Sequence, residues 1–162
     1  MKKIAVFPGS FDPITIGHES VIRRALPLFE KIIIAIGINN EKKYYFPLEK
    51  RIFFIKTLFD DELKIEVDSY TGLTIEYCKK IGAQYLLRGL RTSADFEYER
   101  IIAQMNKSMY PQLETIFLLT LPEHSHISST IVREIIISGG NPDKFIPSKI
   151  KNLILEYLTN HN

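Results

Sequence analysis

The sequence predicts an α/β fold, doubly wound around a five-stranded parallel sheet, and two observations carry that reading. Short runs rich in Ile and Val alternate with longer segments of helical period, and one of those runs, Ile32-Ile33-Ile34-Ala35-Ile36, is apolar without a break. Strand-then-helix order calls for crossover connections, and an unbroken apolar strand belongs where both faces are covered. A parallel sheet between two helical layers meets both demands.

In chain order, strands are read at Lys3–Phe7, Lys31–Ile38, Lys64–Asp68, Gln84–Leu87 and Glu114–Leu119. Between them, helical spacing is read at Gly17–Leu26, Pro47–Phe59, Thr71–Ile81, Ser93–Met109 and Ser128–Ser138. Pro27 closes the first helix because proline cannot continue one, and Gly139-Gly140 stops the fifth. A last helix at about residues 147–158 follows Asn141-Pro142 and is read as a peripheral addition to one domain spanning 1–162. The 162 residues, 45% hydrophobic and 25% charged, suit one core.

The charge balance narrows the function classes. Twenty-one basic against 19 acidic side chains leave a net charge of +2, far from the one-sided excess of a general nucleic-acid or membrane binder. The aromatics are scattered through expected core positions rather than interleaved with a basic stripe. No apolar run approaches bilayer length, and Ile4–Gly9 is too short for a signal-peptide core, so a soluble cytoplasmic protein is expected. Cys78 is the only cysteine and is expected to be a small buried hydrophobe.

Ligands of open parallel sheets bind beyond the carboxyl ends of the strands, so the segments there matter most. The first is Pro8-Gly9-Ser10-Phe11-Asp12-Pro13-Ile14-Thr15-Ile16-Gly17-His18. Its glycines permit close approach to phosphate, Ser10 offers a hydroxyl, and the helix start offers unpaired N–H groups. His18 at the helix mouth can donate to a phosphate oxygen whose charge grows during reaction. Neither a Walker A pattern nor a dinucleotide fingerprint is present.

Three later segments add charge and hydroxyls. Asn39-Asn40-Glu41-Lys42-Lys43 brings ammonium groups to the end of the second strand. Leu87-Arg88-Gly89-Leu90-Arg91 places two guanidinium forks around a glycine, followed by Ser93-Ala94-Asp95-Phe96-Glu97-Tyr98-Glu99 at a helix start. Pro122-Glu123-His124-Ser125-His126-Ile127-Ser128-Ser129-Thr130 opens another helix with three hydroxyls, a second anion site by type. His124 and His126 lack a third nearby ligand, so no protein-held metal is expected.

These segments together resemble a known family. Thr15-Ile16-Gly17-His18 is similar to the (His/Thr)-x-Gly-His signature of the nucleotidylyltransferase superfamily. Pro8–Pro13, Arg88–Arg91 with Asp95–Glu99, and Ile127–Arg133 resemble the bacterial phosphopantetheine adenylyltransferases, over about residues 3 to 158. The resemblance implies a Rossmann-like nucleotidylyltransferase fold and transfer of AMP from ATP to 4'-phosphopantetheine. It implies that His18 is catalytic, and that Ser10, Lys42, Thr74 and Arg88 bind the acceptor. ATP would meet Ser10, Phe11, His18, Gly89, Leu90, Arg91 and Glu99, then the stretch His124, Ser125, His126, Ile127, Ser128, Ser129 and Thr130. His124 departs from the family, some members of which carry Trp. Mg²⁺ on the ATP phosphates, feedback binding of coenzyme A and a homohexamer are further implications. Two rivals stand beside this reading: a nucleotidylyltransferase for nicotinamide mononucleotide or glycerol phosphate, and a non-catalytic nucleotide sensor. The joint presence of His18, Lys42 and Arg88 speaks against a sensor, which needs no acceptor clamp.

Overall fold

The computed structural model describes residues 3–161. Five parallel strands, β1 (Ile4–Gly9), β2 (Lys31–Ile38), β3 (Ile65–Thr71), β4 (Tyr85–Leu90) and β5 (Glu114–Leu119), form one sheet in the order β3-β2-β1-β4-β5. The helices are α1 (Ile16–Ala25), α2 (Leu48–Leu58), α3 (Thr74–Ile81), α4 (Ser93–Met109), α5 (Ser129–Ile137) and α6 (Lys151–His161).

Side chains alternate across the sheet as strand geometry requires. Ala5 and Phe7 of β1 and Ile32, Ile34 and Ile36 of β2 enter one core, which α1, α2, α5 and α6 close through Ile22, Ile55, Val132 and Ile154. Val6, Ile33, Ala35 and Leu86 face the other side and meet Ile75 and Cys78 of α3. Cys78 is fully buried and its thiol is pushed up to about 11 by burial, which suits a packing role. Of α4 only Glu99 is buried, and its Ile101, Met105 and Met109 stand exposed.

Several boundaries move, and the shifts affect the site. β1 runs on to Gly9, β3 to Thr71, and β4 to Leu90 rather than Leu87, because Arg88, Gly89 and Leu90 stay paired with Phe117, Leu118 and Leu119 of β5. Arg88 therefore projects from a strand and not from a loop. The third helix starts at Thr74, after Gly72 at φ 81°. The last helix is preceded by a 3-10 turn at Ser148–Ile150 and extends to His161. Pro27 lies in a 3-10 turn directly after α1, and Gly139 at φ 76° follows α5, as their residue types anticipate.

The strand order reverses between β1 and β4. Their pairing covers only Ala5–Tyr85 and Val6–Leu86 and then opens into a crevice at the carboxyl ends. The site lies there.

Candidate active site

The floor of the crevice is the turn from β1 into α1. Thr15 caps α1, and the cap is reciprocal: the His18 N–H donates to Thr15 Oγ1 at 3.4 Å while the Thr15 N–H donates to His18 Nδ1 at 3.1 Å. An Nδ1 that accepts a backbone hydrogen bond carries no proton, so the neutral ring holds its proton on Nε2. Burial, together with the Arg88 and Arg91 charges, lowers the His18 pKa to about 4. His18 is thus a neutral N–H donor at physiological pH. The edges of Phe7 and Phe11 fix its ring, the Phe11 centroid lying 5.2 Å away. Gly9 makes that packing possible, because a Cβ there would stand 2.9 Å from the Phe11 ring.

Two arginines and an aspartate set the conformation of the loop. Arg51 of α2, only 2% exposed, donates to the Ser10 carbonyl at 2.8 Å and the Phe46 carbonyl at 3.0 Å, with its guanidinium 4.0 Å from the Tyr44 ring centroid. The buried Asp12 carboxylate accepts from the Tyr45 and Phe46 N–H groups at 2.8 Å each. Arg133 of α5 donates to the Asp12 carbonyl at 2.7 Å, and Ser129 Oγ to the Pro13 carbonyl at 2.8 Å. The phosphate-type loop, the Lys42 loop and the start of α5 are tied into one unit by paired polar groups.

Above this floor lie two adjoining cavities. One, of about 420 Å³, is bounded by His18, Gly89, Arg91, Tyr98, Ser128 and Ser129 among others. Its neighbour, of about 490 Å³, is bounded by Ser10, Lys42, Tyr70, Thr74 and Met105 among others. Pro8, Gly9, Arg88 and Glu99 border both. The common wall is built around an ion pair. Arg88 Nε donates to Glu99 Oε2 at 3.0 Å, Nη2 donates to Oε1, and Nη1 donates to the Pro8 carbonyl at 2.8 Å. Three of five guanidinium N–H groups are occupied, leaving two for a ligand. Asp95, four residues past Arg91, accepts at Oδ2 from the Arg91 backbone N–H and Nε at 3.1 Å each, and at Oδ1 from Nη2 at 3.3 Å. Burial works against the Asp95 charge, but those bonds hold its carboxyl below the usual range.

Residues 6–135 match the cytidylyltransferase-like family. The phosphopantetheine adenylyltransferase of Flavobacterium psychrophilum is 54% identical over 91% of this chain and 97% of its own, and that of Cytophaga hutchinsonii 49% identical over 93% and 100%. This chain belongs to the phosphopantetheine adenylyltransferase family. A bifunctional NMN adenylyltransferase/ADP ribose pyrophosphatase from Francisella tularensis shares the fold at a TM-score of 0.75, with 18% identity, over 98% of this chain and 50% of its own.

The residues that the family resemblance marks for the acceptor, Ser10, Lys42, Thr74 and Arg88, all line the 490 Å³ cavity. Of those marked for ATP, His18, Gly89, Arg91, Glu99, Ile127, Ser128 and Ser129 line the 420 Å³ cavity. Phe11 and Leu90 are buried, at 2% and 4% exposure, and support the walls from behind. Ser10, His124, Ser125, His126 and Thr130 stand outside that lining, Ser10 bordering only the 490 Å³ cavity; the Ser125 hydroxyl donates to the Pro122 carbonyl, and Thr130 Oγ1 accepts from Arg133. His124 Nδ1 is buried without a partner. Ser128 Oγ accepts from the Ile131 N–H as the α5 cap, so its hydroxyl is partly committed. Among the described residues no cluster of His, Cys, Asp and Glu could hold a metal, and no helix is long and apolar enough to cross a membrane.

Sequence reasoning gives no role to Tyr70 or Tyr98, and it reads Arg51 only as the end of a Phe46-x-Leu48-x-x-Arg51 segment that resembles the family, without its clamp on the loop. Tyr98 sits inside the quoted Asp95–Glu99 motif, and a helical wheel places it three residues past Asp95 toward the cavity. Nothing local marks Tyr70, and the reach of Arg51 to the Ser10 carbonyl, 41 positions away, is set by the tertiary structure.

Proposed function

We propose that this chain transfers the adenylyl group of ATP to 4'-phosphopantetheine, giving dephospho-coenzyme A and pyrophosphate. One observation carries the reading: two cavities of ligand size meet at the paired Arg88, where two polyanions must approach for a phosphoryl-type transfer. ATP occupies the cavity at His18 and the α5 start, and the acceptor occupies the cavity at Lys42.

An acceptor phosphate oxygen attacks the α-phosphorus in line. A new P–O bond forms as the bond to the bridging oxygen breaks, and the electron pair leaves with pyrophosphate. The phosphate is already a nucleophile, so the protein needs no covalent intermediate and no general base; positioning and charge stabilisation suffice. Neutral His18 donates through Nε2–H to an α-phosphate oxygen as negative charge redistributes, while Arg88 and Lys42 hold the attacking phosphate. Arg91 and the N–H groups of α5 neutralise the leaving group. Mg²⁺ brought by ATP would supply further charge neutralisation on the triphosphate.

The reading extends to the assembly and regulation. The whole chain acts as one cytoplasmic domain and assembles as a homohexamer, supported by the exposed Ile101, Met105 and Met109 on α4. Coenzyme A, which carries both an adenine nucleotide and a pantetheine arm, binds across the two cavities as a feedback inhibitor.

The test is pyrophosphate release from ATP and Mg²⁺ with 4'-phosphopantetheine, nicotinamide mononucleotide, glycerol 3-phosphate or dephosphorylated pantetheine. Release with phosphopantetheine alone supports the reading. Release only with another phosphate keeps the chemistry and replaces the acceptor, and silence with all of them overturns it.

A further inference from the structure

The acceptor cavity contains a hydroxyl pair that the transfer chemistry leaves unused. Tyr70, at the end of β3, places its hydroxyl 2.7 Å from Thr74 Oγ1 in the first turn of α3, and both residues line the cavity. The Tyr70 ring has little freedom. It stacks on Tyr77 at 4.8 Å and 20°, and the Tyr77 hydroxyl is itself anchored by donating to Asp68 Oδ2 at 2.7 Å. On its other side lies Gly37 of β2, where a Cβ would stand 3.2 Å from the Tyr70 hydroxyl and 3.4 Å from Cζ.

The proton count of the pair is informative. Two hydroxyls bring two protons, and their mutual hydrogen bond consumes one, whichever atom donates. Neither oxygen makes another hydrogen bond among the described residues. One O–H therefore remains for a ligand, with lone pairs beside it. A donor and an acceptor side by side, in a cavity lined also by the apolar Leu73, Ile102, Met105 and Met109 and by Asn106, match the carbonyl and N–H of a secondary amide.

We propose that Tyr70 is a specificity residue of the acceptor cavity, holding with Thr74 a fixed hydroxyl pair that reads an amide of the acceptor's flexible arm. The proposal rests on the phosphopantetheine reading above and adds to it the residue that distinguishes an amide-bearing arm from a plain alkyl phosphate. Tyr70 positions Thr74 and shares the ligand bond with it, so the two residues act as one unit.

A double-mutant cycle on the full chain tests this. Tyr70→Phe, Thr74→Val and the double variant are assayed for pyrophosphate release with phosphopantetheine, and Thr74→Ser, which keeps the hydroxyl, serves as rescue. Loss of a shared hydrogen bond raises the acceptor KM about three- to tenfold in each single variant, with kcat and the ATP KM moving less than twofold. The double variant then loses no more than either single, Thr74→Ser stays near wild type, and an acceptor analogue with the relevant amide carbonyl reduced to methylene loses its dependence on Tyr70. Additive losses, an unchanged acceptor KM in Tyr70→Phe, or equal sensitivity of every analogue overturns the proposal while the wild-type activity stands. A wild-type enzyme inactive with phosphopantetheine overturns the functional reading and this inference together.

Discussion

The two cavities that meet at Arg88 are built in different ways. The nucleotide side is mostly main chain and short polar groups: Gly9, Gly17 and Gly89, the reciprocal cap at Thr15 and His18, and the Ser128–Ser129 start of α5. The acceptor side is mostly side chain, with a lysine and an arginine at one end and the apolar face of α4 at the other. A triphosphate is recognised by N–H groups and dipoles that a backbone presents in any sequence of the right conformation. A long, amide-bearing arm needs shape and apolar surface, which only side chains provide. Substitutions on the nucleotide side should therefore change chemistry, and those on the acceptor side should change affinity.

The largest effect expected is that of His18→Ala. Removing a preorganised donor to developing charge lowers kcat about 100- to 1000-fold, with the ATP KM within about threefold, in steady-state assays. An equal loss in ATP binding would erase the contrast between the two sides. Arg88→Lys comes next, with a fall of about 30- to 100-fold in kcat/KM for the acceptor. An ammonium cannot form the Glu99 fork and the Pro8 carbonyl bond together while still presenting donors to a phosphate. Lys42→Ala sharpens the comparison from the exposed end: the acceptor KM rises about tenfold while the ATP KM stays put, because Lys42 lines only the acceptor cavity.

The smallest effect is on pH dependence. The His18 pKa of about 4 in the folded state lies below the unfolded value of 6.5, so the unfolded chain binds the extra proton between those pH values. Stability conferred by neutral His18 is present above about pH 6.5 and is lost as pH falls through about 4. Imidazole resonances followed by NMR should show His18 titrating near pH 4, and a midpoint near 6.5 would contradict burial beside Arg88 and Arg91 as the source of its neutral state.

The site was unevenly legible. Ser10, Lys42 and Arg88 stand out by residue type at strand ends, whereas Thr74 and the acceptor role of all four come only from the family resemblance. Glu99 was marked for ATP, yet both of its oxygens hold Arg88, a pairing between positions 11 apart that no helical or strand period brings into register. The sequence reading ends β4 at Leu87, short of Gly89, a poor strand former by type; pairing with β5 overrides that preference. Tyr70 was invisible for a related reason, since its partner Thr74 was read as the interior of a helix that in fact begins there.

The sequence alone determined the alternation of strand and helix, the unbroken apolar runs of a sheet covered on both sides, and the residue types gathered at strand ends. Those are local properties, carried by side-chain period and by the backbone preferences of Gly and Pro. Only the tertiary structure decided which ends are neighbours. Arg88 reaches a carbonyl 80 positions away, Arg51 one 41 away and Arg133 one 121 away, and each of these bonds depends on the order β3-β2-β1-β4-β5. Strand order follows from how helices cover both faces and how the sheet twists, so no single segment encodes it.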